Sequence, residues 1–290
     1  MANNRIFYAC QAVAIAPCFT AHTTNNTRFV HGVQSVGVTT NFNLEQAFEL
    51  GQIQIYENIE GLPEVEVTLE RVLDGYPLAY HIASSDASSA GLVGRSKARS
   101  CVGLGIYEDS YDAVSGAAPV EVYMSGMYLS SLRYSLPTDG NCTESVTLVG
   151  NFKTWNLGAN SKLLTSGVIK QLPTGALGIG TDSPAALVAG SGGIQRRENV
   201  NMSGSILPKS IYGVLQTANT GNAVSNGVPL VHVQSVNIST DFSRDNILEL
   251  GRKAPYYRAA KFPIEVTSEF EVIALSGDFV SAYESGDPAN

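Results

Sequence analysis

The sequence predicts a mainly β protein with an internal repeat, and three observations support this prediction. Apolar and polar residues alternate with period two in several segments, which is typical of strands with one buried face. Segments with a helical pattern are few and short. Two stretches 200 residues apart are nearly the same, VQSVGVTTNF at residues 33–42 and VQSVNISTDF at residues 233–242. We therefore expect strands arranged in a unit that occurs twice.

Each repeat is expected to contain a strand, a short helix and a second strand. Residues 33–42 alternate as a strand should, and Asn43 and Gly51 are suitable as the N-cap and the end of a helix at residues 43–51. Ser243 and Gly251 offer the same signals for a helix at residues 243–251. The second strands match after a one-residue slip, which gives repeat cores at residues 33–73 and 233–273.

Between the repeat cores, a long hairpin is predicted at residues 120–150. Residues 120–136 are rich in Val, Tyr and Leu and indicate one extended strand or a bulged pair. Asp139 and Gly140 supply turn chemistry before a returning strand. Residues 156–205 are rich in Gly, Ser and Ala, above all at 172–193, and are predicted to be a connector or arm.

The composition favours a folded chain that buries surface in an assembly. The chain has 290 residues, enough for two domains or one elaborated domain. Only 15% of them are charged, against about 25% in globular proteins, and because interface cores are depleted in charge we expect partner subunits. The net charge of −8 argues against a protein that grips nucleic acid. No apolar run approaches the length of a membrane span, and the N-terminus lacks the basic segment of a signal peptide, so no membrane insertion is predicted.

No catalytic, cofactor-binding or metal-binding residues are predicted. None of His22, His31, His81 and His232 lies in a metal motif, and the glycines near residue 177 lack the Lys-Ser/Thr pair of a phosphate loop. The four cysteines have no metal-like spacing and are expected to be reduced, buried thiols. The remaining enzyme hypothesis is a Ser-His-Asp set assembled only by the fold.

Acidic residues alternate along the second strand of each repeat and form the candidate site. They are Glu64, Glu66, Glu70, Glu265, Glu269 and Glu271. At alternating positions of a strand, these side chains form one solvated face more simply than a pair of catalytic carboxylates.

Three segments resemble tail tube proteins (major tail proteins) of tailed bacteriophages. They are GVQSVGVTTNFNLEQAFELGQIQIYENIEGLPEVEVTLERVLDG, YLSSLRYSLPTDGNCTESVTLVGNFKTW and, in the second repeat, SVNISTDFSRDNILELGRKAPYYRAAKFPIEVTSEFEV. The resemblance implies a β-sandwich-like or β-barrel-like tube module with short flanking helices and long loops. It also implies a structural virion protein without enzymatic activity or cofactors, assembled in the host cytoplasm, that polymerises as stacked rings into the tail tube for genome delivery.

On this interpretation residues 1–155 are a first tube-like module, residues 156–205 a connector and residues 206–290 a second, shorter module. Two modules per chain predict a ring of three chains, whereas two halves of one pseudo-symmetric domain predict a ring of six. The partners implied are other copies of the chain, other tail proteins and DNA in transit.

The role of the six acids has two interpretations. They line the lumen and keep phosphates from binding the wall, or they lie on an ordinary outer surface. The alternative function is a tail-tip, baseplate or receptor-binding protein that forms a discrete oligomer.

Overall fold

Strands make up most of the part of the chain that the computed structural model describes, namely residues 11–18, 27–51, 55–86, 91–107, 120–164, 194–197, 200 and 231–274. The first six strands are β1 (Gln11–Pro17), β2 (Arg28–Phe29), β3 (Val33–Phe48), β4 (Ile55–Val72), β5 (Ser100–Ile106) and β6 (Val120–Pro137). The others are β7 (Thr143–Gly150), β8 (Phe152–Leu157), β9 (Val231–Asp241), β10 (Arg244–Ile247), β11 (Tyr257–Ala260) and β12 (Val266–Ala274). Two short helices, α1 (Ala79–Ala83) and α2 (Leu92–Arg95), complete the set with a 3-10 turn at Gly158–Asn160. The predicted mainly β class is confirmed.

Ten of these strands form one antiparallel sheet, in which β6 is the central strand. The order along the main path is β2-β1-β5-β6-β7-β4-β3, and β8 and β9 also pair with β6 while β12 pairs with β9. The strands β10 and β11 pair separately as a small hairpin. Since β6 takes part in four pairings, its position organises the rest of the sheet.

The strand β6 changes partners close to Gly126. Its first half pairs with β5 and β8, as far as Ser125 opposite Phe152 on the β8 side. Its second half pairs with β7 and β9, beginning with Tyr128 opposite Val149. Gly126 has φ of 66°, a left-handed conformation that residues with a side chain rarely adopt. The second half of β6 thus belongs to a six-stranded sheet with the order β3-β4-β7-β6-β9-β12.

The main hydrophobic core contains apolar residues from both parts of the sheet and from α1. Val65, Val67 and Leu69 of β4 are at most 1% exposed, as their period-two alternation predicts. The same cluster includes Val13, Ile15, Val102, Val122, Met124, Val146, Leu148, Ala79, Ile82 and Phe242. Each such large apolar side chain stabilises the fold by about 1.5–3 kcal/mol relative to its exposed state.

The helices predicted at residues 43–51 and 243–251 are wrong. Residues 43–48 continue β3 and pair with β4, and residues 244–247 form β10. Cross-strand hydrogen bonds therefore override a weak local helix preference. Gly51 and Gly251, with φ of 92° and 84°, lie in turns that follow a strand instead of ending a helix.

The hairpin predicted at residues 120–150 is confirmed. The strands β6 and β7 pair from Tyr128 opposite Val149 to Ser135 opposite Thr143. Of the two alternatives for residues 120–136, the structure has the single strand, whose register with β7 shifts between Leu129 and Ser131.

The expectation of reduced cysteines is wrong for two of the four. Cys18 and Cys101 form a disulfide between the end of β1 and the start of β5. The antiparallel pairing of these strands sets Ala16 opposite Cys101, which brings the following Cys18 within reach. Cys142 is a buried free thiol, and Cys10 lies outside the described residues.

The division into modules at residues 1–155, 156–205 and 206–290 stays a prediction. Most of the proposed connector, including the arm at 172–193, lies outside the described residues. From the third segment, β9 is hydrogen-bonded directly to β6 of the first.

Candidate functional site

The six-stranded sheet has two chemically different faces, which follow from its register. Residues that are directly opposite on neighbouring strands point to the same side of a sheet. One row toward the core reads Val36, Leu69, Val146, Leu132, Thr240 and Val266 across the six strands. An adjacent row on the other face reads Ser35, Glu70, Ser145, Arg133, Ser239 and Thr267. One face is therefore apolar and the other hydroxyl-rich and charged.

The candidate acids lie on the polar face. Glu66 and Glu70 on β4 and Glu269 and Glu271 on β12 are exposed and share the alternation of the polar row. Glu64 is also exposed on β4, and Glu265 is exposed immediately before β12. The two groups are four strand intervals apart, about 19 Å at about 4.8 Å per interval. Sequence reasoning did not foresee that both would belong to one continuous sheet.

The two acid-bearing hairpins have the same local geometry. The Ser35 hydroxyl donates to Glu70 Oε2 at 3.1 Å, and the Ser235 hydroxyl donates to Glu271 Oε2 at 3.0 Å. Both hairpins also skip one residue in register, between Val33 and Ser35 in β3 and between Val233 and Ser235 in β9. The two stretches of near-identical sequence thus adopt the same bulged pairing.

At one end of the polar face, Glu64 meets residues of β11. Arg258 Nη1 lies 4.0 Å from Glu64 Oε1, and Arg258 Nη2 donates to Asn151 Oδ1 at 2.9 Å. Burial lowers the pKa of Arg258, and the Glu64 carboxylate opposes that shift. Among the six candidate acids, Glu64 therefore has a cationic neighbour within the chain.

Arg244, which was not singled out in the sequence, attaches β10 to β6. Its Nε and Nη2 atoms donate to the Leu129 carbonyl at 2.8 and 2.6 Å, and its guanidinium lies over the ring of Tyr128 at 5.2 Å. Burial lowers the pKa of Arg244 to about 10. A partly buried cation that contacts a carbonyl and an aromatic face is costly to move, so it fixes this end of the second hairpin.

A buried polar group lies beneath the sheet across β4, β7 and β6. Arg71 Nε lies 3.6 Å from Glu144 Oε2, and the Tyr134 hydroxyl donates to Glu144 Oε1 at 2.9 Å. Glu144 also accepts from the backbone N–H groups of Ala79 and Tyr80 at the start of α1. Burial, and then the Glu144 carboxylate, raise the pKa of Tyr134. These residues fix the register of three strands and the position of α1.

The six-stranded sheet ends in two strands with one unpaired side each. Within the described residues, β3 pairs only with β4, and β12 pairs only with β9. Large apolar side chains are exposed near both edges, with Phe42 at 63% and Val266 at 51%. An open, apolar strand edge is a site for pairing with another chain. Sequence reasoning missed these edges, because an edge is a property of the assembled sheet.

Other kinds of site have little support in the described part of the chain. No cluster of three or more His, Cys, Asp or Glu residues there could hold a metal ion. His31 stacks on Tyr76 with ring centroids 3.9 Å apart, which fits the structural role expected for it. None of the described helices has the length and apolar character that a membrane crossing requires.

Comparisons with known proteins give limited similarity. No family model matches the sequence, and no curated protein matches it. The tube terminating cap of the anti-feeding prophage is similar over 55% of this chain and 95% of its own, with 14% identity and a TM-score of 0.39. The sheath/tube terminator of an extracellular contractile injection system is similar over 54% of this chain and 99% of its own, with 10% identity and a TM-score of 0.40. A chain of the anti-feeding prophage baseplate gives 10% identity and a TM-score of 0.35 over 54% of this chain and 97% of its own.

Proposed function

We propose that this chain is a structural subunit of a phage-tail-like tube, and that three or six copies close into a ring whose lumen is lined by the polar face. The observation that carries the proposal is the six-stranded sheet with one acidic, hydroxyl-rich face and two open edges. We base the proposal on this sheet and on the sequence resemblance to tail tube proteins, because the structural similarities have low identity and low TM-scores.

The stagger of the sheet supports closure into a barrel. The row that starts at Ser35 of β3 reaches Ser239 of β9 after four strand steps. Ser239 corresponds in the repeat to Thr39, four residues beyond Ser35. The stagger is thus one residue per strand, the ratio of shear to strand number in the eight-stranded (β/α)₈ barrel, whose strands tilt by about 36°. A sheet with this stagger closes when enough strands are added.

The charge on the polar face suits a conduit for DNA. The face offers Glu66, Glu70, Glu269 and Glu271 to solvent, and Arg133 is a cation in the same row as Glu70. Lys and Arg on a wall would bind phosphates, whereas carboxylates repel them over roughly the Debye length of about 8–10 Å. The Ser and Thr side chains between the acids provide a wettable surface without positive charge.

The open edges support a ring of identical chains. The two edges differ in sequence, so a contact between them is heterologous, and heterologous contacts give closed rings or open filaments. Rings that stack in register would extend the conduit, and other tail proteins would bind its ends.

A second candidate function is a tail-tip or baseplate component that forms a discrete oligomer. It is favoured by β8, where Phe152, Trp155 and Leu157 are 51%, 60% and 65% exposed. Trp155 and Leu157 are two residues apart and point to the same side of β8, and exposed apolar side chains of this kind suit the core of a contact with a different protein.

Electron microscopy of the purified protein, combined with mass measurement of its smallest stable oligomer, tests both candidates. A tilted strand occupies about 6 Å of circumference, so six strands from each of three chains give a backbone diameter of about 35 Å and six strands from each of six chains about 70 Å. Stacked hollow rings are expected. A discrete particle that does not stack at any concentration or salt would overturn the tube and favour the tail-tip candidate.

A further inference from the structure

Two equivalent phenylalanines of the repeat have opposite environments. Phe242 is 0% exposed and belongs to the main core together with Leu129 and Leu132 of β6. Its backbone N–H donates to the Ser130 carbonyl at 2.8 Å, at the end of the β9–β6 pairing. Phe42, 200 residues earlier, is 63% exposed at the same point of a strand whose outer edge is unpaired among the described residues. Within the described residues, β9 of the second copy thus pairs with β6 on its outer side, whereas β3 of the first copy has no strand at the equivalent side.

The opposite edge of the same sheet can receive β3 of another copy. All neighbours in the order β3-β4-β7-β6-β9-β12 are antiparallel. After six alternating strands, a further β3 added beside β12 is antiparallel to it. The polar and apolar faces also continue without a break, because pairing preserves the side on which each residue lies.

We propose that β3 of one copy pairs with β12 of the next, in the register that sets Phe42 opposite Val266. This inference rests on the proposed ring and names its contact. The row through Val36 reaches Val266 on the sixth strand. Six strand steps separate β3 from β3 of the next copy. At one residue of stagger per step, the row that begins at residue 36 of the first β3 meets the next β3 six residues further along, at Phe42.

The chemistry of the paired residues agrees with this register. Phe42 and Val266 are both exposed on the core side of the sheet, at 63% and 51%, and each covers the other when paired. In the same register Val38 lies opposite Phe270 on the core side, and Thr39 lies opposite Glu269 on the polar side. A shift of two residues in one direction would set Phe42 opposite Ser268 and lose the apolar match, and the same shift in the other direction would set it opposite Ile264, which lies before β12 begins. Apolar cross-strand pairs contribute to pairing strength, so this register is favoured.

Disulfide cross-linking of the full chain tests the register. In the double variant Phe42→Cys with Val266→Cys, opposite positions have Cα atoms about 4.5–5.5 Å apart, which permits a disulfide between copies. The matched control combines Phe42→Cys with Ser268→Cys, a diagonal position that is about 7–8 Å away. Both double variants also carry Cys10→Ser, and the remaining native cysteines interfere little, because Cys18 and Cys101 are bonded to each other and Cys142 is buried. After mild oxidation, we expect covalent oligomers from the first pair at ten times or more the yield of the control.

The outcomes separate the contact from the ring. Assembled rings in which the Ser268 pair cross-links as well as or better than the Val266 pair would overturn the register and leave the proposed function intact. Cross-linked pairs or open chains without closed rings would support the contact and overturn the ring. An absence of both cross-links and oligomers would overturn both.

Alanine variants provide a second test. Phe42→Ala should raise the concentration for half-assembly at least tenfold while leaving the denaturation midpoint of the monomer unchanged, because its side chain is buried only in the assembly. Phe242→Ala should lower that midpoint, because its side chain is buried within the chain. Val93→Ala, which is also exposed and apolar, is the control that should change neither. Assembly unaffected by Phe42→Ala would contradict the contact.

Discussion

At the scale of single residues, Glu144 is a buried acidic residue whose contacts hold strands and a helix in place. It is 0% exposed and contacts Arg71, Tyr134 and the first backbone N–H groups of α1. A carboxylate in such a place is tolerated only because its acceptor sites are occupied by donors. The cost of burial is therefore offset within one cluster, which fixes β4, β7 and β6 relative to each other.

We expect Glu144→Gln to lower the free energy of unfolding by about 3 kcal/mol, because an amide removes the negative charge beside the buried Arg71 Nε and can accept fewer hydrogen bonds. Urea denaturation followed by far-UV circular dichroism measures the change. Glu66→Gln is the matched control, since Glu66 is exposed, and it should change stability by no more than about 0.5 kcal/mol. Equal effects of the two variants would show that the buried cluster does not stabilise the fold.

The burial of Asp74 illustrates how two opposing effects act on one carboxyl. Burial raises the pKa of Asp74 above its ordinary value of 3.8, and the nearby Arg71 guanidinium lowers it by less. Arg71 Nη2 nevertheless donates to Asp74 Oδ1 at 2.8 Å. A short contact to a cation therefore does not by itself establish that an acid is easily ionised.

At the scale of secondary-structure elements, the repeated motif forms a bulged hairpin in both copies. In each copy the Ser of the first strand donates to a Glu of the second at 3.1 or 3.0 Å. The sequence alignment relates Glu66 to Glu265, so that Glu70 would correspond to Glu269. In the structure, the residue equivalent to Glu70 is Glu271, two residues further along. A shift of two preserves the face on which side chains lie, so the polar face is retained.

The change of partners along β6 near Gly126 is an element-scale feature that a mutation can test. Gly126→Ala should lower the free energy of unfolding by about 1–2 kcal/mol, because alanine is strained at φ of 66°. No neighbouring atom lies within 4 Å of the added Cβ, so the effect reports backbone strain without a clash. The measurement is the urea midpoint of the monomer.

Gly37→Ala is the control for Gly126→Ala. Its φ is not in the left-handed region, and its added Cβ would meet Thr68 Cβ at an ordinary 3.8 Å. It should be neutral or slightly stabilising, because alanine reduces the entropy of the unfolded chain. If Gly126→Ala were equally neutral, the change of partners along β6 would not depend on glycine.

At the scale of the whole molecule, the acids of two distant segments become one surface. The residues of β4 and β12 are about 200 positions apart in sequence and about 19 Å apart across the sheet. In the proposed ring, their combined effect on DNA would depend on assembly, since a single chain would present only part of the wall.

Reversing the charge of that surface should make assembled rings bind DNA. The change is Glu66→Lys, Glu70→Lys, Glu269→Lys and Glu271→Lys together, with retention of duplex DNA measured by filter binding. Wild-type rings should not retain DNA, whereas the variant should, with affinity falling about a hundredfold or more between about 50 and 200 mM salt.

The control for this experiment moves the same charge to turns and hairpin arms, by Glu45→Lys, Asp139→Lys, Asp245→Lys and Glu249→Lys. These residues are all exposed. If the control retained DNA as well as the face variant, net charge rather than the polar face would govern the interaction, and the lumen assignment would be contradicted.

The sequence by itself determined the strands of the repeated motif, at residues 33–42 and 64–70 in its first copy, and the hairpin at residues 120–150, because alternation and turn residues are local patterns. It also identified the exposed acids, since Glu64, Glu66 and Glu70 alternate with the apolar residues of β4. It failed at residues 43–51 and 243–251, where the helix signals lie within one segment and the competing hydrogen bonds come from the next strand along the chain.

Only the tertiary structure decided which segments pair. The seating of β9 on β6, the burial of Phe242 with Phe42 left exposed, and the open edges of β3 and β12 depend on strand order. Strand order results from long-range contacts whose entropy cost is met only when the whole core forms, so no local pattern encodes it. The physical reason is that the residues of a strand determine which of its faces is apolar, whereas its neighbours in the sheet determine whether its edges are paired.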